Sequence, residues 1–253
     1  MSMLHLNFNL TKSSFDIKQK HIHIKSKDNA LEGFKILQIS DLHIDTHRSE
    51  TEIKDLILFL NSIPCHILVI TGDLLACNVT KIEKKLILFK NLKHPTYFVS
   101  GNHDLVHGYK KLYTILSNCR IKILHNEFEI IEHNKTKILV AGLSDRFSKF
   151  FKIKRSEQIF IDTIKAKKLP TIFLAHQPKD YTYALQVKSE LFLCGHTHGG
   201  QIYPFNYLVR LIQPFVSGLY HIKNMPIYVN NGLGTWGIRY RYKADAEITL
   251  FNL

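Results

Sequence analysis

Asp41 with His43, Asp73, Asn102 with His103, His176, and His196 with His198 are residue types that bind divalent cations, and each group follows a short apolar run. The runs are KILQIS, ILVIT, YFVS, TIFLA and LFLC. Ligands of this kind, spread over more than 150 residues of sequence, can meet in one cleft if each run is a strand of an open α/β sheet, because sites form just beyond the carboxyl ends of such strands. One polynuclear metal centre is therefore expected. The mixed nitrogen and oxygen donors suit Mn, Fe or Zn and do not choose among them.

Taken singly the groups differ in weight. The Asp41-x-His43 spacing puts both side chains on one side of an extended segment, yet such a pair alone also caps turns. Gly72-Asp73 by itself is a turn signal. Gly101-Asn102-His103-Asp104 is more specific, since it joins a flexible backbone position, a neutral oxygen donor, an imidazole and a carboxylate. Gly195-His196-Thr197-His198-Gly199-Gly200 is the most specific, because two imidazoles framed by glycines after an apolar strand have no packing rationale and are costly to bury without partners.

The elements that must position these residues alternate between strand and helix patterns, which indicates an α/β layered fold. Helical spacing of apolar residues is expected over 51–60, 80–90 with Thr80 as N-cap, 109–117, 156–167 and 179–187. IKILHNEFEIIEHNKTKILVAGL reads as three short strands with a turn at His133 to Lys135, and MPIYVNN and AEITLFNL as two more. The second half is thus richer in antiparallel-type strands. Nothing resembling a Gly/Ser/Pro linker divides the halves, so two packed sheets in one domain over 1–253 are expected, with the motif-bearing core from about 33.

Composition agrees with a globular chain: 45% hydrophobic and 22% charged residues, with no repeat of fixed period. Cys65, Cys77, Cys119 and Cys194 show no CxxC spacing and are expected as reduced thiols, Cys194 as a small core residue rather than a ligand. The net charge of +13 favours an anionic partner. The first twenty residues carry neither an export signal nor the run of about 20 apolar residues that a membrane span needs. A cytoplasmic chain, peripheral at most to the inner face of the membrane, is the expectation.

In order, Asp41-Leu42-His43, Gly72-Asp73, Gly101-Asn102-His103-Asp104, Ala175-His176-Gln177-Pro178 and Gly195-His196-Thr197-His198 resemble the motifs of the calcineurin-like metallophosphoesterase superfamily over positions 35 to about 200. The resemblance implies a four-layer αββα sandwich of two mixed sheets flanked by helices, holding two divalent metal ions. It implies Asp41, His43, Asp73 and His198 on the first ion, and Asp73, Asn102, His176 and His196 on the second, with Asp73 bridging. Two-metal sites hold their ions ~3.5 to 4 Å apart, so that a bridging hydroxide attacks phosphorus in line while both ions clamp the phosphoryl oxygens. Two carboxylates against two dications leave net positive charge for an anionic substrate. His103, not needed as a ligand, is the candidate to stabilise transition-state charge or protonate the leaving oxygen, with Asp104 holding its ring.

Beyond GHTH, the segments Gly199-Gly200-Gln201, Ser217-Gly218-Leu219-Tyr220 and Asn231-Gly232-Leu233-Gly234-Thr235-Trp236-Gly237 with Arg239 look like the phosphodiesterase branch typified by YkuE and YaeI. That branch includes a UDP-2,3-diacylglucosamine pyrophosphatase of lipid A synthesis. The implied substrate is a small phosphate ester or a lipid-linked nucleotide. Lys179 stands where an acidic residue is common, which bears on substrate contacts. The Ser/Thr protein phosphatase branch fits poorly, since GDLLACN and SGNHD replace its GDxVDRG and RGNHE. A nuclease fits the charge but lacks an added DNA-binding segment, and a metal-free scaffold fits poorly because every ligand position holds a competent residue.

Several features lie outside this set. His47 and His107 are near enough to the motifs to line the cleft, whereas His21 and His23 alternate on what reads as a solvated strand face. Residues 146–155, RFSKFFKIKR, interleave basic residues with phenylalanines, the chemistry of a contact with an anionic membrane or single-stranded nucleic acid, or else of a basic face over buried rings. Residues 203–216, YPFNYLVRLIQPFV, are expected to pack as a cap over the site in preference to the alternative, a membrane-inserting patch, and Arg239 either reaches a substrate phosphate or is a surface arginine.

Overall fold

The computed structural model describes residues 17–25 and 31–253; the reading of the first twenty residues as lacking an export segment falls largely outside them. Among the described residues twelve strands form two six-stranded sheets. The first contains β1 (Ile17–His23), β2 (Lys35–Ile39), β3 (Ile67–Thr71), β4 (Thr96–Val99), β5 (Ile121–Ile123) and β12 (Ala246–Asn252), in the order β1-β12-β2-β3-β4-β5. The second contains β6 (Glu127–His133), β7 (Thr136–Gly142), β8 (Thr171–Leu174), β9 (Leu191–Cys194), β10 (Gly218–Ile222) and β11 (Met225–Val229), in the order β10-β11-β9-β8-β7-β6. β2 to β5 run parallel, as do β7, β8, β9 and β11, so the ends of both parallel sets open on one edge. The three strands read between 121 and 142 divide between the sheets at the turn before β6.

Strands buried on both faces read as continuous apolar runs, and these do. Val69 opposite Tyr97 belongs to the cluster between the sheets, where Ile36, Val69 and Val99 meet Val140, Leu174 and Leu193. The alternate residues Leu37, Leu68 and Ile70 pack outward against α1 (Glu50–Ser62) through Ile53, Leu56 and Leu60. On the other outer face Leu139, Phe173 and Phe192 pack against α4 (Glu157–Lys167) through Phe160, Ile161 and Ile164. Each such buried side chain stabilises by roughly 1.5–3 kcal/mol, and together they produce the αββα layering. Polar ties also cross the middle: the Gln38 amide donates to Thr71 Oγ1 at 2.9 Å and to the Cys194 carbonyl at 3.0 Å, and the Tyr228 hydroxyl to Glu247 at 2.8 Å.

The helices depart from the expected periodicity in three places. Residues 80–90 break into a 3-10 turn at Val79–Lys81, the short helix α2 (Glu83–Ile87) and a second 3-10 turn, and the cap is Asn78, not Thr80. Asn78 Oδ1 accepts the Thr80 N–H at 3.0 Å. The helix expected at 109–117 begins seven residues earlier, as α3 (Asn102–Asn118), kinked at Gly108 where φ is 117°. Residues 179–187 hold a 3-10 turn at Pro178–Asp180 and α5 (Tyr181–Gln186). Among the described residues no helix is long and apolar enough to cross a membrane.

Candidate metal centre

β2, β3, β4, β8 and β9 each deliver their ligand-type residues to the shared edge, and the backbone there is unusual. Asp41, His43, Asp73, His196 and His198 all have positive φ, between 45° and 75°. A non-glycine residue in that region carries a cost of order 1–3 kcal/mol and persists where the surroundings impose it; it also occurs at ordinary turns such as Asn134-Lys135, so what marks this edge is five such residues gathered together. Close approach is enforced by glycine: a Cβ on Gly195 would strike Ser40 Oγ and Asp41 Oδ2, and one on Gly101 would strike Asp73 Oδ1.

Each carboxylate is held by one oxygen and offers the other. Asp41 Oδ2 accepts the Ser40 hydroxyl at 2.6 Å and the His196 N–H at 3.0 Å, while its buried Oδ1 has no hydrogen-bond partner. Asp73 Oδ1 accepts the His103 N–H at 2.8 Å; its Oδ2 faces His176 Nε2 at 3.2 Å and His43 Nε2 at 3.7 Å. The Asn102 side-chain oxygen Oδ1 is likewise buried without a partner. Among the described residues potential donor atoms gather in three overlapping groups: Asp41, His43 and His198; His43, Asp73 and His103; and Asp73, His176 and His196.

The donors fit two metal ions. His43 Nε2 and His198 Nε2 are 3.1 Å apart, as are His196 Nδ1 and His176 Nε2. Two nitrogens bound at ~2.1 Å to a single ion are separated by about 3.0 to 3.4 Å. His176 Nδ1 donates to the Thr71 carbonyl at 2.8 Å, which turns Nε2 into the cleft. Burial pushes His43 down to about 4 and His196 to about 3, and drives His198 well below the usual imidazole range, so these rings stand neutral, as ligands must. Burial also raises Asp41 to about 6. Burial would likewise raise Asp73, but the neighbouring His176 outweighs it and holds that carboxyl low. His176 is pushed the other way: burial disfavours its charge, yet Asp73, Asp41 and Asp145 raise it well above the ordinary range. The carboxylates thus draw positive charge to the place where a cation would sit.

Two expected roles change. Asp104 does not hold the His103 ring: Oδ1 accepts the N–H groups of Leu74 and Leu75 at 2.8 and 3.0 Å, and Oδ2 that of Gly101 at 2.9 Å. It latches the start of α3 to the loop after β3, and burial together with Asp73 raises it to about 7. Asp104→Ala is expected to cost about 3 kcal/mol of unfolding free energy, because three amides lose their acceptor; urea denaturation measures it. Unchanged stability would refute the latch. The partly buried His103 ring instead meets the edge of His43 at 4.7 Å and lies 5.7 Å from His107. His47 is exposed, with its backbone N–H bonded to Asp45.

Arg239 is engaged by Asp45 at 2.5 Å rather than reaching into the cleft. Arg241, two residues on, is buried, and is the residue the sequence did not single out. It donates to the carbonyls of Asn231 at 2.8 Å and Gly234, and its Nη2 is 3.2 Å from His198 Nδ1. Alternation in RYRYK would put the two arginines on one face, so spacing does not tell them apart and only packing decides which is inside.

Segment 146–155 does not bury its rings: Phe147 and Phe150 are exposed beside Lys149, Lys152 and Lys154. Arg146 and Arg155 are pinned to the buried Asp180 at 2.8 and 2.7 Å. Asp180→Ala should cost about 3 kcal/mol by leaving the mostly buried Arg155 short of its partner, read from the same denaturation curve. The expected packed cap at 203–216 is also absent, since no residue of α6 (Phe205–Ile212) is buried; only Gln213, Phe215 and Val216 are. His21 and His23 are exposed on β1. All four cysteines are free thiols, and Cys194 lies in the core.

The family model for calcineurin-like phosphoesterase matches residues 34–200. The chain is 35% identical over 247 residues to an uncharacterized metallophosphoesterase of Helicobacter pylori strain J99, covering 94% of this chain and 63% of that protein. It thus spans less than two thirds of that relative's length. It is 29% identical over 242 residues to the metallophosphoesterase YkuE of Bacillus subtilis, covering 89% of this chain and 80% of YkuE. The solved structure of TT1561 from Thermus thermophilus matches with a TM-score of 0.54 at 12% identity, over 79% of this chain and 89% of that one, a likeness of fold.

Proposed function

This chain belongs to the calcineurin-like phosphoesterase family, and from that premise we propose that it is a two-metal hydrolase of phosphodiester or pyrophosphate bonds, built as a single domain whose motif-bearing core runs from about residue 33 to 253. The observation that carries this reading is the placement of Asp73 Oδ2 between His176 and His43, where one carboxylate oxygen serves two donor groups. Asp41, His43, Asp73 and His198 would hold one ion; Asp73, Asn102, His176 and His196 the other. When bound, the ions supply an activated water and a positive clamp for phosphoryl oxygens. The chain's own part is to present neutral imidazoles at His43, His196 and His198, to fix each carboxylate by one oxygen, and to set the His103 ring at the open side of the cluster. From there His103 donates a proton to the leaving oxygen or stabilises its charge.

The finer reading is a pyrophosphate bond in a lipid-linked nucleotide, supported by the glycine-rich segments after β11 that resemble the YkuE and YaeI branch. Contact of segment 146–155 with an anionic membrane belongs to the same reading, supported by its exposed phenylalanines and lysines. The test is hydrolysis of bis-p-nitrophenyl phosphate and of UDP-2,3-diacylglucosamine by protein reconstituted separately with Mn, Fe and Zn. Release of lipid phosphate and UMP far faster than diester cleavage is the expected result for the finer reading. Cleavage of the diester alone would remove the lipid nucleotide, and no cleavage of either by metal-loaded protein would sink the hydrolase.

A further inference from the structure

We propose that the outer face of α6, together with the loop 236–243 beside it, is a seat for an anionic lipid bilayer that holds the mouth of the metal cleft against the membrane. On α6, Phe205, Leu208, Leu211 and Ile212 share one face and are 58%, 57%, 81% and 64% exposed. A surface helix ordinarily turns such a face to the core. Here the helix rests on the protein through Asn206, packed against Gly200, and through the half-buried Val209.

The loop extends the same surface. The Tyr203 N–H donates to the Tyr242 carbonyl at 3.0 Å, and the Gln201 amide donates to the carbonyls of Trp236 and Ile238 at 3.0 and 2.9 Å. The turn that launches α6 is thereby stitched to a loop exposing Trp236, Ile238 and Tyr240. Aliphatic side chains flanked by tryptophan and tyrosine match the boundary between headgroups and acyl chains.

Charge selects the occupant. From Leu191 to Ala244, 54 residues, there is no Asp or Glu. Two basic residues rim the apolar face: Lys243 over the Tyr203 ring at 4.6 Å and Arg210 beside Tyr207 at 5.8 Å. Asp45, the acid that reaches this loop, is taken up by Arg239, so a second copy docked here would oppose two cationic rims, a like-charge contact that costs affinity. Anionic headgroups complement the rim, and each basic residue near such a surface adds to the attraction.

The position gives the contact its consequence. β9 and β11 run parallel, and the chain leaving β9 carries His196 and His198 directly into the turn under α6. A bilayer on this face therefore meets the edge where the metal-type ligands gather. The seat stands independently of the hydrolase reading; only the delivery of a membrane-borne phosphate ester rests on it.

Trp236 is the sole tryptophan and reports on its own surroundings. The full chain is mixed, without substrate, with vesicles of phosphatidylglycerol and phosphatidylethanolamine, or of phosphatidylcholine alone. Co-sedimentation with the anionic vesicles, a blue shift of Trp236 emission, and weakening by salt are expected. Leu208→Gln with Leu211→Gln should lower partitioning about tenfold or more while leaving thermal unfolding and diester hydrolysis unchanged, since both side chains are exposed. No binding to anionic vesicles, or equal binding by the double variant, would overturn the proposal. So would a dimer in sedimentation that the double variant abolishes with no vesicle binding. Binding without any turnover would instead overturn the hydrolase and leave the seat standing.

Discussion

Asp73→Asn should bind fewer than two metal ions per chain and lose roughly 10³-fold or more in turnover, with little change in the fold. The substitution is isosteric, so the amide oxygen can keep the His103 N–H that Oδ1 accepts at 2.8 Å. What changes is the atom facing His43 and His176: a negative oxygen shared by two donor groups becomes an N–H donor, which cannot ligate. The expected loss is thus concentrated at the junction of the two sites rather than at one of them. Metal content by mass spectrometry, beside circular dichroism and diester hydrolysis, reads all three quantities. Two ions and full turnover retained in this variant would refute the bridging role.

His103→Ala separates ligand from catalyst. Its backbone N–H, which positions Asp73, survives the substitution, and its ring sits at the more open side of the cluster, against His43 and His107. Two ions per chain should remain, with KM nearly unchanged and kcat lower by about 10² to 10³-fold, the usual scale for losing a general acid. Because a His103 nitrogen also lies in the donor group of His43 and Asp73, the contrary outcome is concrete. Loss of metal in parallel with loss of turnover would make His103 a ligand and end its assignment to the leaving oxygen. The pair of variants therefore tests one geometry from both sides.

Much of the site was legible because two independent periodicities coincide in the chain. Apolar runs of four to six residues mark buried parallel strands, and the residue types directly after them mark what the shared edge must hold. Asp41, His43, Asp73, Asn102, His176, His196 and His198 were readable in this way, and they meet at one edge. The four-layer fold was legible for the same reason, as resemblance and patterning agreed. Less was legible where a local signal is interrupted. Gly108, at φ 117°, breaks the apolar spacing of α3, so the helix start at Asn102 was missed even though it sits inside the most informative motif.

Residue types and order, then, determined which side chains could bind metal, which strands carry them and in what sequence along the chain. Tertiary structure decided which of those groups hold metal-type geometry and which hold the protein together. Asp104 reads as a partner for its neighbouring histidine, but its oxygens are claimed by amides from the loop after β3 and from Gly101. Arg239 and Arg241 read alike, and only the packing of the glycine-rich loop buries the second beside His198. α6 reads as core and is surface. The physical reason is common to all three: spacing along a chain reports which face a residue occupies, whereas partner and burial depend on segments distant in sequence, whose approach is set by the packing of whole sheets.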